Sequence, residues 1–413
     1  MQKKQKYSIL FSLYLAQAIP MSFFSTVLPV IMRMEEYSLT NIGLLQLIKI
    51  PWIIKFLWAP LVDWKASNNM HYRRWILGSE IFYAVVILSI GLFQVNTDFT
   101  TIIVLMIIAF ILSATQDIAS DALAIRILKK KERGFGNSLQ SSGNFLGTLF
   151  GSGVLLMLYT LVGWQYLMVI LAGIVLVALI PIYLYKQKTV SVGRSETENR
   201  KKLSVYDFAG FFRQKNIWKR VILLMLFYSG IVGILAMLKP FLVDLDYSIR
   251  EIAFMTGIFG TAFGAGSTFL GGYLIRRLGN KKAMRLFSFY GVVAASIVAL
   301  VAAGNSTTFF VYLSIAVIWS AYGMCSVAIY TISMNTVRKG REGSDYTVQI
   351  VITHLSSLLI VILSGKVGDL IGYPGLFFAE TGLGLTVFFL IRYLYHDPEV
   401  SQKTEYQQIK QRA

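Results

Sequence analysis

Long apolar runs, separated by short polar gaps, recur along the whole chain. Twelve can be marked, at roughly 7–32, 42–62, 75–94, 101–126, 136–160, 165–186, 219–243, 251–275, 284–303, 308–332, 346–365 and 373–394. At 1.5 Å of rise per residue, runs of this length match a hydrocarbon core about 30 Å thick. The segments of about ten residues with alternating polarity that mark a membrane β-barrel are missing. The pattern therefore predicts an all-α membrane protein with twelve transmembrane helices. The one long polar segment splits them six and six: an N-terminal six-helix bundle over 1–186, a linker over 187–218, a C-terminal six-helix bundle over 219–396 and a tail over 397–413. Within the linker, Val205–Phe212 reads as a short amphipathic helix lying on a membrane surface. The start, Met1-Gln-Lys-Lys-Gln-Lys, imitates a signal peptide, but the apolar run continues to Met32 without a small-residue cleavage site and is read as the first span.

Charge then orients the pattern. Basic residues collect in alternate gaps: Lys65, Arg73 and Arg74; Lys129, Lys130, Lys131 and Arg133; the central linker; Arg276, Arg277, Lys281, Lys282 and Arg285; Arg338, Lys339 and Arg341. The intervening gaps hold almost none. By the positive-inside rule both termini are expected in the cytoplasm. The net charge of +18 is thus a topology signal, with anionic lipid headgroups as its counterpart, and nucleic-acid binding is set aside. Only 15% of residues are charged against 55% hydrophobic, where soluble domains carry about 25% charged residues. The single Cys325 leaves no intramolecular disulfide and no cysteine-rich metal site. Phosphate-binding loops, nucleophile elbows and metal-ligand spacings are lacking, so an enzyme is not expected, nor is a cofactor or a resident metal.

Polar groups inside the spans carry the candidate chemistry, because each is costly in a bilayer. Asp117 and Asp121 lie in the stretch Ser113-Ala-Thr-Gln-Asp-Ile-Ala-Ser-Asp-Ala122 and share one helix face at i, i+4, with Gln116 and Ser120 beside them. Lys49 and Lys55 sit in the middle third of the second span. Lys55 and Asp117 reach comparable depth, so a buried ion pair is expected, read either as packing of spans two and four or as part of proton coupling and substrate binding. Asp121, one turn further on, is expected to latch to Arg73 or Arg74. Asn137, Gln140, Ser141, Asn144 and Thr148 form a polar stripe suited to a wetted cavity, while Gly143, Gly147 and Gly151 suggest close helix packing. Tyr322, Ser326, Tyr330 and Ser333 offer a cavity wall. His354, at mid-span, is read either as a proton relay or as a helix-to-helix hydrogen bond. Glu80 is expected to join the basic loop network. Lys366, Asp369 and Glu380 are read as interfacial or paired structural groups.

Two loops, Ala59-Pro-Leu-Val-Asp63 with Arg73 and Arg74, and Gly271-Gly-Tyr-Leu-Ile-Arg-Arg-Leu-Gly-Asn-Lys-Lys282, resemble the repeated basic loop of the major facilitator superfamily. Asp63, Arg73, Arg74 and Arg277 would then belong to a gating loop. Lys55-Phe-Leu-Trp-Ala-Pro-Leu-Val-Asp63, Ala114-Thr-Gln-Asp-Ile-Ala-Ser-Asp-Ala122 and Glu132-Arg-Gly134 resemble the AmpG-type permease and acetyl-CoA transporter branch of that superfamily. The likeness is clearest over residues 10–165. It implies two six-helix bundles with substrate bound between them near the midplane. The branch includes permeases for anhydro-muropeptides and importers of siderophores such as rhizobactin and pyochelin, and Asp117 and Asp121 match its span-four acidic positions.

The expectation is a secondary active transporter of the bacterial inner membrane, a monomer that imports an amphipathic or anionic organic solute with protons. Asp117, Asp121 and His354 are the proton-coupling candidates. Lys55, Lys49, Gln116, Asn137, Gln140, Asn144 and Tyr330 are the substrate-binding candidates. The alternatives are an exporter of drugs or metabolites on the same scaffold and a non-transporting membrane sensor.

Overall fold

A computed structural model describes residues 3–34, 48–66, 68–185 and 210–395. The expected amphipathic helix in the linker (up to residue 209), the start of the second span (42–47) and the tail (397–413) lie outside the described residues. Among the described residues every regular element is helical, and a helix stands at each of the twelve expected positions. Among the described residues, eight continuous helical segments are long and apolar enough to cross a membrane, and together they cover ten of the twelve expected positions. Two, Lys130–Tyr183 and Glu342–Leu394, are 54 and 53 residues long, about twice one crossing. Each is broken at a glycine, Gly163 (φ 75°) or Gly372 (φ 69°), a conformation that costs a side-chain-bearing residue but not glycine.

Prolines account for two irregular stretches in the first unit. The Lys3–Ser22 helix runs into Leu28–Met34 through a widened turn at Phe23–Val27. Pro29 cannot donate a backbone bond to the preceding turn, so the turn opens. The second expected span is broken more severely, as Ile50–Ile54, a tight 3₁₀ turn Lys55–Leu57, and Ala59–Lys65. Pro51 and Pro60 begin the two flanking helices, where a missing N–H costs nothing, and the break between them holds Lys55.

The described chain packs as two units. The first draws on residues within 1–129, 139–207 and 338–351, the second on 130–138, 208–337 and 352–413. The first has a core of Phe23, Phe24, Ile87, Met106, Phe110, Leu167 and Leu171. The second is built around Leu224, Phe241, Phe287, Ile315, Phe377 and Ile391. Many large apolar side chains remain outside both cores, among them Phe82, Leu161, Phe309 and Leu370, an outer surface suited to lipid rather than water.

The glycine ridge does what its spacing predicts. In the first unit Gly143 lies against Tyr14, Gly147 against Ala18, and Gly151 against Ile19 and Ser22. A side chain at any of the three would push the first helix away, and with it the polar groups that helix carries. Gly153, two residues on, faces open space. Replacing Gly151 by leucine is expected to lower thermal stability by roughly 1–3 kcal/mol or more, the cost of overpacking. Gly153→Leu is expected to stay within about 0.5 kcal/mol. Thermal unfolding of the two purified variants checks the contrast.

Candidate functional site

In the Phe99–Ile127 helix every residue from Ser113 to Ile125 is buried. A helix covered all round needs partners for each polar group it carries. For the two aspartates, those partners come from three other segments of the first unit. Lys55 Nζ forms an ion pair with Asp117 Oδ2, and its ammonium stands 4.5 Å from the Trp52 ring centre, within cation–π range. Gln17 Nε2 donates to Asp117 Oδ1 at 2.9 Å. Tyr14 Oη donates to Asp121 Oδ1 at 2.5 Å, and Gln140 Nε2 makes a longer contact to the same oxygen at 3.4 Å. Tyr14 and Gln17 lie one turn apart on the first helix, matching the one-turn spacing of Asp117 and Asp121. The glycine ridge brings that helix close enough for both bonds. The result is one cation and two carboxyl groups in a single buried cluster. Around it, Oε1 of Gln17, Gln116 and Gln140 accepts no hydrogen bond among the described residues.

The expected pair between Lys55 and Asp117 is therefore present. The expected latch from Asp121 to Arg73 or Arg74 is not made: Asp121 is buried and its Oδ1 accepts from Tyr14 and Gln140, while Arg73 donates to the carbonyls of Ile182 and Tyr183 at 2.9 and 2.6 Å. Arg74 is exposed. Gln116 Nε2 bonds within its own helix to Ser120 Oγ at 3.0 Å. Lys49 is half-buried at the start of Ile50–Ile54. The polar stripe does not form one surface. Gln140 serves Asp121, Asn144 is half-buried and Thr148 exposed. Asn137 belongs to the second unit, where its Nδ2 donates to Thr331 Oγ1 at 3.1 Å. Glu80 does not join a basic network either: it is completely buried and, among the described residues, neither carboxyl oxygen accepts a hydrogen bond.

Asp63 makes a second polar cluster of the first unit. Its Oδ1 accepts from Tyr72 Oη at 2.7 Å and Gly343 N at 3.0 Å. Its Oδ2 accepts from Ser344 N at 2.7 Å and Ser344 Oγ at 2.6 Å. The carboxylate thus caps the start of the Glu342–Leu394 helix, where unpaired N–H groups and the helix dipole favour an anion. Gly343 permits the approach, because a Cβ there would meet Asp63 Oδ1, Ile118 and Ala122. Arg126 reaches Glu342 at 3.6 Å and Arg338 reaches Asp345 at 2.6 Å.

In the second unit His354 and Tyr330 are half-buried. Tyr322 stacks edge-on against Tyr228, ring centres 5.8 Å apart. Arg277 is exposed and lies 5.1 Å from the Tyr273 ring. Glu380 is buried against Gly230 and Gly233 and accepts from Ser364 Oγ at 2.5 Å, in keeping with a paired structural group. Sequence reading passed over Tyr14, Gln17 and the Gly343–Ser344 pair. Gln17, an amide inside the first apolar run with Tyr14 one turn before it, was the available signal.

The sequence profile of the Major Facilitator Superfamily matches residues 10–359. Over 291 residues the chain is 27% identical to the anhydromuropeptide permease of Escherichia coli (strain K12), covering 69% of this chain but 58% of that relative's length. It is 25% identical over 387 residues to "Putative transporter AmpG 3" of Rickettsia typhi, covering 89% of this chain and 91% of the relative. Among solved structures, the E. coli fucose:proton symporter FucP superposes with a TM-score of 0.71 at 15% identity, over 95% of this chain and 98% of that one. A bacterial homologue of the iron transporter ferroportin in an outward-facing state gives 0.68, also at 15% identity, over 95% and 99%.

Removing one partner of a buried ion pair strands the other charge, at a cost of about 3–5 kcal/mol, whereas replacing both by apolar groups of similar volume is often neutral or stabilising. Lys55→Met alone is expected to destabilise by that order. The double variant Lys55→Met, Asp117→Leu is expected to recover most of the loss. A double-mutant cycle followed by thermal unfolding measures the coupling.

Proposed function

The chain belongs to the Major Facilitator Superfamily and is a multi-pass membrane transporter, and on that footing we propose that it is a proton-coupled importer of an amphipathic or anionic organic solute, working by alternating access in a bacterial inner membrane. The observation that carries the reading is the charge count of the buried cluster, one lysine to two aspartates. With both carboxyls ionised, Lys55, Asp117 and Asp121 together hold one uncompensated negative charge in a site shut off from water. One bound proton makes the cluster neutral. Protonation of Asp117 also releases Lys55 from its partner, so the proton changes which contacts the first helix and the broken second helix make with the Phe99–Ile127 helix. Coupling then amounts to one proton per transport cycle.

The substrate reading follows from the groups left over. Lys55, freed from Asp117, offers an anion contact, and the amide oxygens of Gln17, Gln116 and Gln140 seek hydrogen-bond donors. A solute with a carboxylate or phosphate and several hydroxyl or amide N–H groups fits that set. The 27% identical relative is a permease for anhydromuropeptides, molecules of that chemistry, which supports the muropeptide class ahead of the siderophore class. Asp63, bonded to the start of the Glu342–Leu394 helix, acts as the gate latch, and Arg126–Glu342 and Arg338–Asp345 brace the same region. The transporter works as a monomer with both termini in the cytoplasm.

Asp117→Asn is expected to abolish accumulation driven by a pH gradient in proteoliposomes by at least tenfold. The variant pair Asp117→Asn, Lys55→Gln removes both charges and controls for loss of fold. Labelled anhydromuropeptide is the first substrate to assay, with a ferric siderophore as the second arm. Undiminished gradient-driven uptake by a folded Asp117→Asn protein would refute the coupling role.

A further inference from the structure

A groove of about 690 Å³ runs along the outside of the first unit, between the Asn69–Ile90 and Phe99–Ile127 helices, and no step of the proposed cycle uses it. One end is lined by Lys65, His71 and Arg74, and the other by Phe82, Leu112 and Thr115. Arg74 and Phe82 are eight residues apart on one helix, about 12 Å at 1.5 Å per residue. The groove therefore changes from cationic to apolar over roughly the distance from a phospholipid phosphate to the upper part of its acyl chains. Its lining includes no carboxylate. Lys65 and Arg74 are exposed. The neighbouring Arg73 is turned away, bonded to the Ile182 and Tyr183 carbonyls, so two adjacent arginines are divided between a structural bond and the groove. Gly78 lies in the groove wall, and a Cβ there would meet nothing within 4 Å, which keeps the passage open.

We propose that this groove is a binding site for an anionic phospholipid, with its phosphate on Lys65, His71 and Arg74 and its acyl chain along Phe82 and Leu112. A free phosphate would satisfy only the basic end. A zwitterionic lipid would bring a choline or ethanolamine cation to the same three side chains and gain less. Basic pockets between membrane helices select anionic headgroups for this reason. Removing two charges therefore lowers retention on the order of tenfold or more. Filling the groove at Gly78 lowers it without touching a charge.

The test is native mass spectrometry of the full chain released from detergent micelles, with phosphatidylglycerol or phosphatidylcholine added at equal concentration. The wild-type protein is expected to retain phosphatidylglycerol on the order of tenfold more than phosphatidylcholine. K65Q/R74Q is expected to lose that preference while keeping its phosphatidylcholine retention, and G78F to lose phosphatidylglycerol with all charges in place. R276Q/R277Q, which removes two exposed cations outside the groove, is expected to behave as wild type. Equal loss in R276Q/R277Q would mean diffuse surface charge and overturn the site. So would unchanged phosphatidylglycerol retention in K65Q/R74Q, or in G78F should the double variant not fold. Displacement of the bound lipid by glycerol phosphate at equal concentration would remove the acyl-chain half of the proposal.

Discussion

A lysine buried in the middle of a bundle that crosses a lipid bilayer must be neutralised where it stands. An ion of that size loses several kcal/mol of hydration even after the protein relaxes around it, and the surrounding hydrocarbon offers no counter-charge. Lys55, 1% exposed, is that ion here, and the packing around it reads as a set of consequences. The second span is broken before Pro60, where a tight turn delivers the ammonium inward. The Phe99–Ile127 helix brings Asp117 to it. The small-residue face of Lys130–Leu149 lets the first helix approach until Gln17 completes the carboxylate and Tyr14 completes Asp121. None of these features is stable alone, because each leaves a polar group without a partner.

The same logic operates at Asp63 with a different solution. That carboxylate has no lysine or arginine among its hydrogen-bond partners. It is held by a tyrosine hydroxyl, a serine hydroxyl and two backbone N–H groups at a helix start, which act as a diffuse positive charge. A side-chain ion pair can be broken by one proton. A carboxylate held by backbone groups is released when the helix start moves. The two clusters therefore differ in what would undo them, a proton at the Lys55–Asp117 pair and a displacement of the helix start at Asp63.

Much of this was legible in the residues, and what was not has a physical explanation. Span positions come from hydrophobicity, which the bilayer imposes directly, and the depths of Lys55 and Asp117 follow from counting along two spans. The glycine ridge was readable because small residues at every fourth position have one common use. Rotation of a helix about its axis is different. It decides whether Asp121 meets Arg73 or Tyr14, and it depends on packing against neighbours distant in sequence. Asp63 shows the limit most clearly, since besides Tyr72 its donors come from residues 280 and 281 positions away, two of them backbone groups that leave no mark in the sequence. Glu80 was misread for a related reason: proximity to a basic loop along the chain says nothing about which side of the helix faces inward.

The size of the electrostatic effect constrains how such a cluster can drive a cycle. Two unit charges about 5 Å apart interact by roughly 3 kcal/mol at an effective dielectric constant of 20. Turning a two-state equilibrium from 1:99 to 99:1 takes about 5.5 kcal/mol. Neutralising one carboxyl thus supplies a little more than half of what a full switch requires. On the proposed reading, the remainder comes from a second ligand whose contacts also differ between the two states, the solute that Lys55 would meet once Asp117 is protonated. On that reading proton and solute are each insufficient and only together sufficient, which would move them in the same direction without leak of either.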